Sequence, residues 1–397
     1  MMNRYLTSSI LSLILVTSPV VAQSEWPTRG WVSTTPPEVG LDAKVLAAFD
    51  ADIGEGKYGY VDSMLVIRHG KVAYERYYGH DYGSIYQKEA STPGPLVVRD
   101  PSGPYNYFNS WWHPYYQKGT LHTMQSVTKS VVSAVIGTAV GRDEFPDLDT
   151  PVIDFFKPGT VANVDERKRR MTVRHLLTMS TGLDWNEDYP YTDPRNTFTI
   201  MAVEPDWVQY TIDRPMSGEP GESFQYNSGA TLILGHVFNV ATGMDLEEYA
   251  VKHLFEPLGI DNYHWKRTPF GLADAQEGLY VSSRDIAKIA YLYLKHGQWE
   301  DKQLVPAAWV DASITPSVPV TDDRSIEYGY KWWLVRYEYR GEERVAFAGF
   351  GFGDQYPIVI PELDLVIVFT GWNTLPDGPS LSPQEGIERI LNAVKDP

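Results

Sequence analysis

The stretch "SMLVIRHGKVAYERYYG", Ser63 to Gly79, holds two apolar runs around a His69-Gly70 pair. "MLVIR" and "KVAYERYY" read as the two strands of a hairpin, with the glycine supplying the turn. Strand-like runs then stay scarce until the C-terminal third of the chain. There "YGYKWWLV", "ERVAFAGF", "QYPIVIP" and "LDLVIVFT" follow one another, and "SPQEGIERILNAVK" ends the chain as a helix. Between the two sets the segments have helical spacing. "LDAKVLAAFDADI" precedes the hairpin as an amphipathic helix. "SVVSAVIGTAVG" is apolar on nearly all sides and should be buried. "TVRHLLTMSTGLDW" reads as a short helix stopped at Gly182. "NTFTIMAVEPDWVQYTI" is broken by Pro205. "GATLILGHVFNVATG" and "MDLEEYAVKHLFEPLGI" are stopped at Gly243 and at Pro257-Leu-Gly, and "SSRDIAKIAYLYLKHGQW" is capped by Ser282 or Ser283.

Strands at both ends with helices between them are most simply one sheet, made from the first hairpin and the last strands, with a helical region inserted. Hairpin adjacency makes the sheet antiparallel and the fold class α+β. The sheet subdomain is expected from about 40–79 plus 280–397, and the helical subdomain from about 120–280. Residues 80–118 break every period and are rich in Tyr, Trp, Pro and Gly. A segment of that length without a period is expected to be an insertion, either walling a pocket or packed on the body as a flap.

The chain has 397 residues, no cysteine and a formal net charge of −17. Disulfides, thiolate metal sites and cysteine nucleophiles are thereby excluded. Such negative charge disfavours nucleic acid and anionic lipid as partners. Residues 1–22 combine Arg4, the apolar run "ILSLILV" and small residues at Val20 and Ala22. That is the pattern of a cleaved signal peptide, too short to span a bilayer, so a periplasmic or secreted protein is expected. The leader carries one positive and no negative residue, so the mature chain would carry −18.

No G-x-S-x-G, H-E-x-x-H, Walker or Rossmann motif occurs, and no cofactor or metal is expected. One S-x-x-K is present, Ser126 and Lys129 in "HTMQSVTKSVVSAVIG". Residues three apart share a helix face, so the lysine amine can reach the serine oxygen. A serine nucleophile needs an adjacent base, and burial disfavours the charged form of a lysine. Backbone N–H groups at a helix start can hold an oxyanion. The same four residues also suit a helix that merely begins with a serine, and the motif alone leaves both readings open. Two further segments carry chemistry in the same open way. Tyr226 in "GESFQYNSGATLILG" is a core tyrosine or a proton relay beside a lysine. Gly349, Gly351 and Gly353 in "FAGFGFGDQYPIVIP" make a bulged strand, or a strand edge that approaches a ligand with its backbone donors.

Taken in order, these three elements resemble the serine β-lactamase and penicillin-binding superfamily, nearest its class C β-lactamase-like branch. That branch includes family VIII carboxylesterases, D-amino-acid peptidases and aminohexanoate-oligomer hydrolases. "HLLTMSTGLDW", "PGESFQYNSGATLILGHVFNVATG", "HLFEPLGI", "GLYVSSRDIAKIAYLYLKHGQW" and "PELDLVIVFT" extend the likeness over about 40–395. The resemblance implies Ser126 as acyl-accepting nucleophile, Lys129 as its base, and Tyr226 moving protons in acylation and deacylation. It also implies an oxyanion hole from the N–H groups of Ser126 and Phe352, on the strand with Gly351. Two positions depart from the family pattern. Ser228 stands where the Tyr-x-Asn motif has its asparagine, with Asn227 between. Gly349-Phe350-Gly351 stands where β-lactamases have Lys-Thr-Gly. The missing lysine removes a partner for a substrate carboxylate. The expected function is therefore hydrolysis of an ester or amide, with Trp111, Trp112, Tyr115 and Tyr116 of the insertion facing an apolar group. A β-lactamase or D-amino-acid peptidase is the alternative within enzymes, and a binding protein that kept the fold without turnover is the alternative outside them.

Overall fold

The structure, a computed structural model, describes residues 26–119, 121–191, 193–320, 324–375 and 377–395. The signal peptide expected over 1–22 lies outside the described residues. Among the described residues no helix is long and apolar enough to cross a membrane.

A nine-stranded sheet organises the chain. Its strands are β1 (Val32–Ser33), β2 (Val61–Arg68), β3 (Lys71–Tyr77), β4 (Val318–Pro319), β5 (Ile326–Tyr328), β6 (Trp333–Tyr339), β7 (Glu342–Ala348), β8 (Tyr356–Ile360) and β9 (Leu365–Gly371). They lie in the order β1-β3-β2-β9-β8-β7-β6-β5-β4. The hairpin closes at Arg68 opposite Lys71, with His69 at φ 54° and Gly70 at φ 72°, the left-handed pair that a two-residue turn of matching twist requires. β2 then pairs antiparallel with β9, nearly 300 residues later, so the first and last strands share one sheet as the sequence implied. One pairing differs. β1 runs parallel to β3, because the segment before the first helix returns along the hairpin's outer edge.

Every residue of β2 and β9 is buried, because both faces of the sheet are covered. Alternation sorts their side chains between two cores. Met64, Val66, Ile367 and Phe369 face a layer made by α1 (Ala43–Gly54) and the C-terminal helix Pro383–Leu391, through Leu46, Phe49, Ile387 and Ile390. Leu65, Ile67, Val366 and Val368 face the helical region, in one core with α2 (Thr128–Val140), α3 (Ser228–Thr242) and α4 (Ser283–Leu294). All of α2 but its last residue is buried, which explains its unbroken apolar character.

Three local readings change. "YGYKWWLV" is not one strand. Lys331 adopts φ 65° and Gly329 lies so close to Ser313 that a Cβ would sit 2.1 Å from its carbonyl oxygen, so the run folds into the hairpin between β5 and β6. The helix before Gly182 covers only Val173–Leu177. The 80–118 insertion holds two short helices, Tyr82–Ile85 and Gln87–Ser91, and its Tyr82, Tyr86 and Tyr107 form a small aromatic core with Trp372 from beyond β9.

Candidate active site

Ser126 sits on a single 3-10 turn, Gln125–Val127, that runs straight into α2. Gln125 holds φ 47° and is buried, its amide donating to Thr123 Oγ1 at 2.9 Å, so the residue before the serine is locked in a left-handed conformation. Lys129 lies one turn on, 2% exposed. Its Nζ donates to Ser126 Oγ at 2.9 Å and to the Gln276 carbonyl at 3.0 Å. The serine and lysine thus meet as their spacing allows, and the lysine is desolvated with two fixed oxygen partners.

Tyr226 ends the segment before α3. Its ring centroid lies 5.0 Å from Lys129 Nζ, and the ring stacks on Trp333 at 5.7 Å. Asn227, next in sequence, is consumed by the fold, its side chain capping α3 through Ala230 N at 2.9 Å. Ser228, the first residue of α3, turns to Glu187. Its N–H donates to Glu187 Oε2 at 2.8 Å and its Oγ to Oε1 at 2.6 Å.

The glycine segment after β7 crosses the Ser126 turn at close range. A Cβ on Gly349 would lie 3.2 Å from Val127 Cγ1, and one on Gly351 would lie 2.5 Å from the Met124 carbonyl oxygen. Glycine at these positions is what lets the strand lie on the turn. The Gly351 N–H is spent on Gln355 O at 2.9 Å, so Gly351 supplies proximity rather than a donor. Among the described residues, no acceptor takes the N–H of Phe352 or of Ser126. Phe352 and Ser126 line one narrow cavity of about 10 Å³.

The cavity wall also holds Leu96, Tyr107, Tyr191 and Phe198, with Gln125, Glu187, Ser228 and Glu277 as its further polar members. Leu96 and Tyr107 come from the insertion, which therefore does wall the pocket, but with other aromatics than those singled out above. Trp112 packs at a tilt on Tyr116 and His264, Tyr116 stacks on His264, Tyr115 packs on His122, and Trp111 is 59% exposed.

Glu187 was missed by the sequence reading. Burial raises its carboxyl above the usual range, and the positive charge of Lys129 is the first influence pulling it back. Trp185 Nε1 adds a third hydrogen bond, to Oε2 at 2.7 Å. Glu277 was missed as well. Its Oε1 accepts from Tyr107 Oη and from Lys266 Nζ. Lys266 lies 4.0 Å from buried Asp274, whose carboxyl burial pushes up to about 7. Lys331 is buried as well. Its Nζ donates to Leu176 O at 2.6 Å, and burial followed by the charge of Lys129 pushes its amine well below the usual lysine range. These groups come from loops, and "LDWNEDY" offered only an acid among aromatics as a hint. Among the described residues no cluster of three or more His, Asp or Glu gathers as a metal site would.

Residues 59–381 match the family model described as Beta-lactamase. The chain belongs to the Beta-lactamase family. As a member of the Beta-lactamase family it is a hydrolase of the α+β, β-lactamase/transpeptidase-like fold. It is similar to the 6-aminohexanoate-dimer hydrolase of Paenarthrobacter ureafaciens, 24% identical over 337 residues, which span 77% of this chain and 80% of that one. It is also similar to the monacolin J acid methylbutanoyltransferase of Aspergillus terreus, 28% identical over 225 residues, half of this chain and 54% of the relative. Among solved structures, a family VIII carboxylesterase superposes with a TM-score of 0.61 at 16% identity, covering 91% of this chain and 98% of that one.

Proposed function

We propose that the chain is a serine hydrolase that cleaves an ester or amide through an acyl-enzyme on Ser126. The observation that carries this reading is the 2.9 Å contact between a desolvated Lys129 amine and the hydroxyl of Ser126, which lines the cavity. Ser126 Oγ attacks the substrate carbonyl carbon and its proton passes to the lysine amine. The negative charge that grows on the carbonyl oxygen is met by the N–H groups of Ser126 and Phe352. Tyr226, beside Lys129, passes the proton on to the leaving group. What remains is an acyl-enzyme that water hydrolyses, without a cofactor.

The lining favours uncharged esters or amides over the β-lactam and cell-wall alternative. Two carboxylates, Glu187 and Glu277, line the cavity, and among the described residues no arginine or lysine lines it to meet a substrate carboxylate. The hydrolase and carboxylesterase named above support the same choice. The intact Ser126, Lys129 and Tyr226 geometry speaks against a binding protein without turnover. Export to the periplasm or medium is part of the proposal and rests on residues 1–22.

A fluorophosphonate probe should label Ser126, and Ser126→Ala should abolish both labelling and turnover. p-Nitrophenyl esters should be cleaved faster than a chromogenic cephalosporin. Wild-type turnover by Ser126→Ala would sink the assignment, and faster cephalosporin cleavage would restore the β-lactamase alternative.

A further inference from the structure

The room beside Ser126 is about 10 Å³, enough for one group the size of a water molecule. The residues that line it do not include Tyr226, which passes the proton to the leaving group. A leaving group must also reach solvent, so it departs on the Tyr226 side. The enclosed side is left to the acyl group, which stays on Ser126 after the first step.

Tyr107, from the 80–118 insertion, is an aromatic wall of that room and is itself buried. Its backbone is held at both ends. The N–H donates to Leu96 O at 2.8 Å, and the carbonyl accepts from Trp372 Nε1 at 3.0 Å. Its ring stacks on His113 at 5.1 Å and meets the Phe352 ring edge-on at 6.4 Å. Its hydroxyl donates to Glu277 Oε1. The same oxygen accepts from the buried Lys266 Nζ at 3.3 Å, and that Nζ lies 5.5 Å from the Tyr107 ring. The tyrosine therefore cannot turn away without taking a donor from a buried carboxylate. The ring is a fixed wall, and its partners come from 165 and more positions downstream.

We propose that Tyr107, locked by the Glu277–Lys266 pair, is the residue that sets the length of the acyl group, holding it to short chains. The inference rests on the serine hydrolase reading. The bonds made and broken at Ser126 are the same for every acyl group, and only the room for its chain differs. Each further methylene has to enter space that the phenol ring occupies. A methylene that a pocket cannot seat costs about 10-fold or more in kcat/KM.

The test is kcat/KM for p-nitrophenyl acetate, butyrate and hexanoate with the wild type, Tyr107→Ala and Tyr107→Phe in the full chain, with fluorophosphonate labelling alongside. The wild type should favour the acetate over the hexanoate by at least about 10-fold. Tyr107→Ala removes the ring and should bring that ratio to parity or reverse it. Tyr107→Phe keeps the ring without its bond to Glu277, and its ratio should fall between the two. A purely structural role would lower all three esters together and leave the ratio unmoved in Tyr107→Ala, which overturns the proposal. A wild type that favours the hexanoate overturns it as well. A Tyr107→Phe ratio equal to that of the wild type shows that the ring needs no lock and overturns that half. If Tyr107→Ala does not fold, Tyr107→Leu, smaller and still apolar, is read by the same ratio. Labelling separates the two levels: a folded wild type that takes no label on Ser126 refutes the serine reading, whereas a labelled enzyme with an unmoved ratio refutes only the role of Tyr107.

Discussion

Gly351→Ala tests the contact between the glycine segment and the turn that carries Ser126. The added Cβ would lie 2.5 Å from Met124 O and 2.7 Å from Gln355 Cβ, and reaching even a tight contact of 3.0–3.4 Å requires a shift of about 0.5–0.9 Å. The Met124 carbonyl cannot turn aside freely, because it accepts Val127 N–H at 3.1 Å and so closes the turn that carries Ser126. The strand must therefore move outward, and the neighbouring Phe352 N–H moves with it. Loss of one oxyanion donor lowers kcat by about 10²–10³. Overpacking adds a stability loss of about 1–3 kcal/mol. Because the donors act on charge that develops in the transition state, kcat should fall with little change in KM. The assay is Michaelis kinetics on p-nitrophenyl butyrate, well below the melting temperature of the variant. Gly79→Ala is the control, since its Cβ would meet nothing within 4 Å and its φ is not positive. A Gly351→Ala enzyme that loses stability but keeps kcat within about threefold would refute the placement of Phe352 in the hole.

Three further outcomes follow from buried contacts. Lys168 is fully buried and donates to the carbonyls of Ala162, Ile212 and Arg214 at 2.7–2.9 Å. Lys168→Met strands those acceptors and should cost about 3–5 kcal/mol by denaturant titration. Burial pushes the Asp274 carboxyl up to about 7 in the fold, against about 4 in an unfolded chain. A raised carboxyl favours the fold only while protonated, so this group's contribution to stability should fall as pH rises from about 4 to 7. Asp274→Asn, which keeps an acceptor for the Gln276 and Glu277 N–H groups, should flatten that part of the Tm–pH profile; an unchanged slope would contradict the assignment. A Cβ on Gly137 would lie 2.5 Å from Trp309 Cδ1, so Gly137→Ala should destabilise by about 1–3 kcal/mol by thermal melt, despite the higher helix propensity of alanine.

What was legible in the sequence was what neighbours decide. The hairpin announced itself through two apolar runs and a turn glycine, and the central strands through unbroken apolar character, because each is a local pattern. Ser126 and Lys129 meet within one helical turn, so their spacing implied their contact. Where the backbone departs from its local signals, the reading failed. Nothing in "YGYKWWLV" announces that Lys331 is left-handed, and the hairpin there depends on the close approach of Gly329 to Ser313. In the insertion the lack of a period left no phase, so nothing told Tyr107 from Trp112.

The acids of the site were hidden for a different reason. Glu187 lines the cavity with Ser126 only because Ser228, 41 positions on, begins a helix there and turns both its N–H and its hydroxyl back. The Gln276 carbonyl meets Lys129 across 147 positions, and it does so because the Asp274 carboxylate caps the N–H groups of Gln276 and Glu277 in the same loop. Seen this way, the departure from Tyr-x-Asn is more than a lost asparagine. A serine is small enough to sit at the first helical position and still bond a carboxylate through both of its polar groups. Asparagine at 228 would set an amide, with its own donor and acceptor, where the Glu187 oxygens now lie 2.6 and 2.8 Å from Ser228. Ser228 and Glu187 are therefore best understood as one unit, in which the helix start fixes the acid and the acid gives the serine its place at the site.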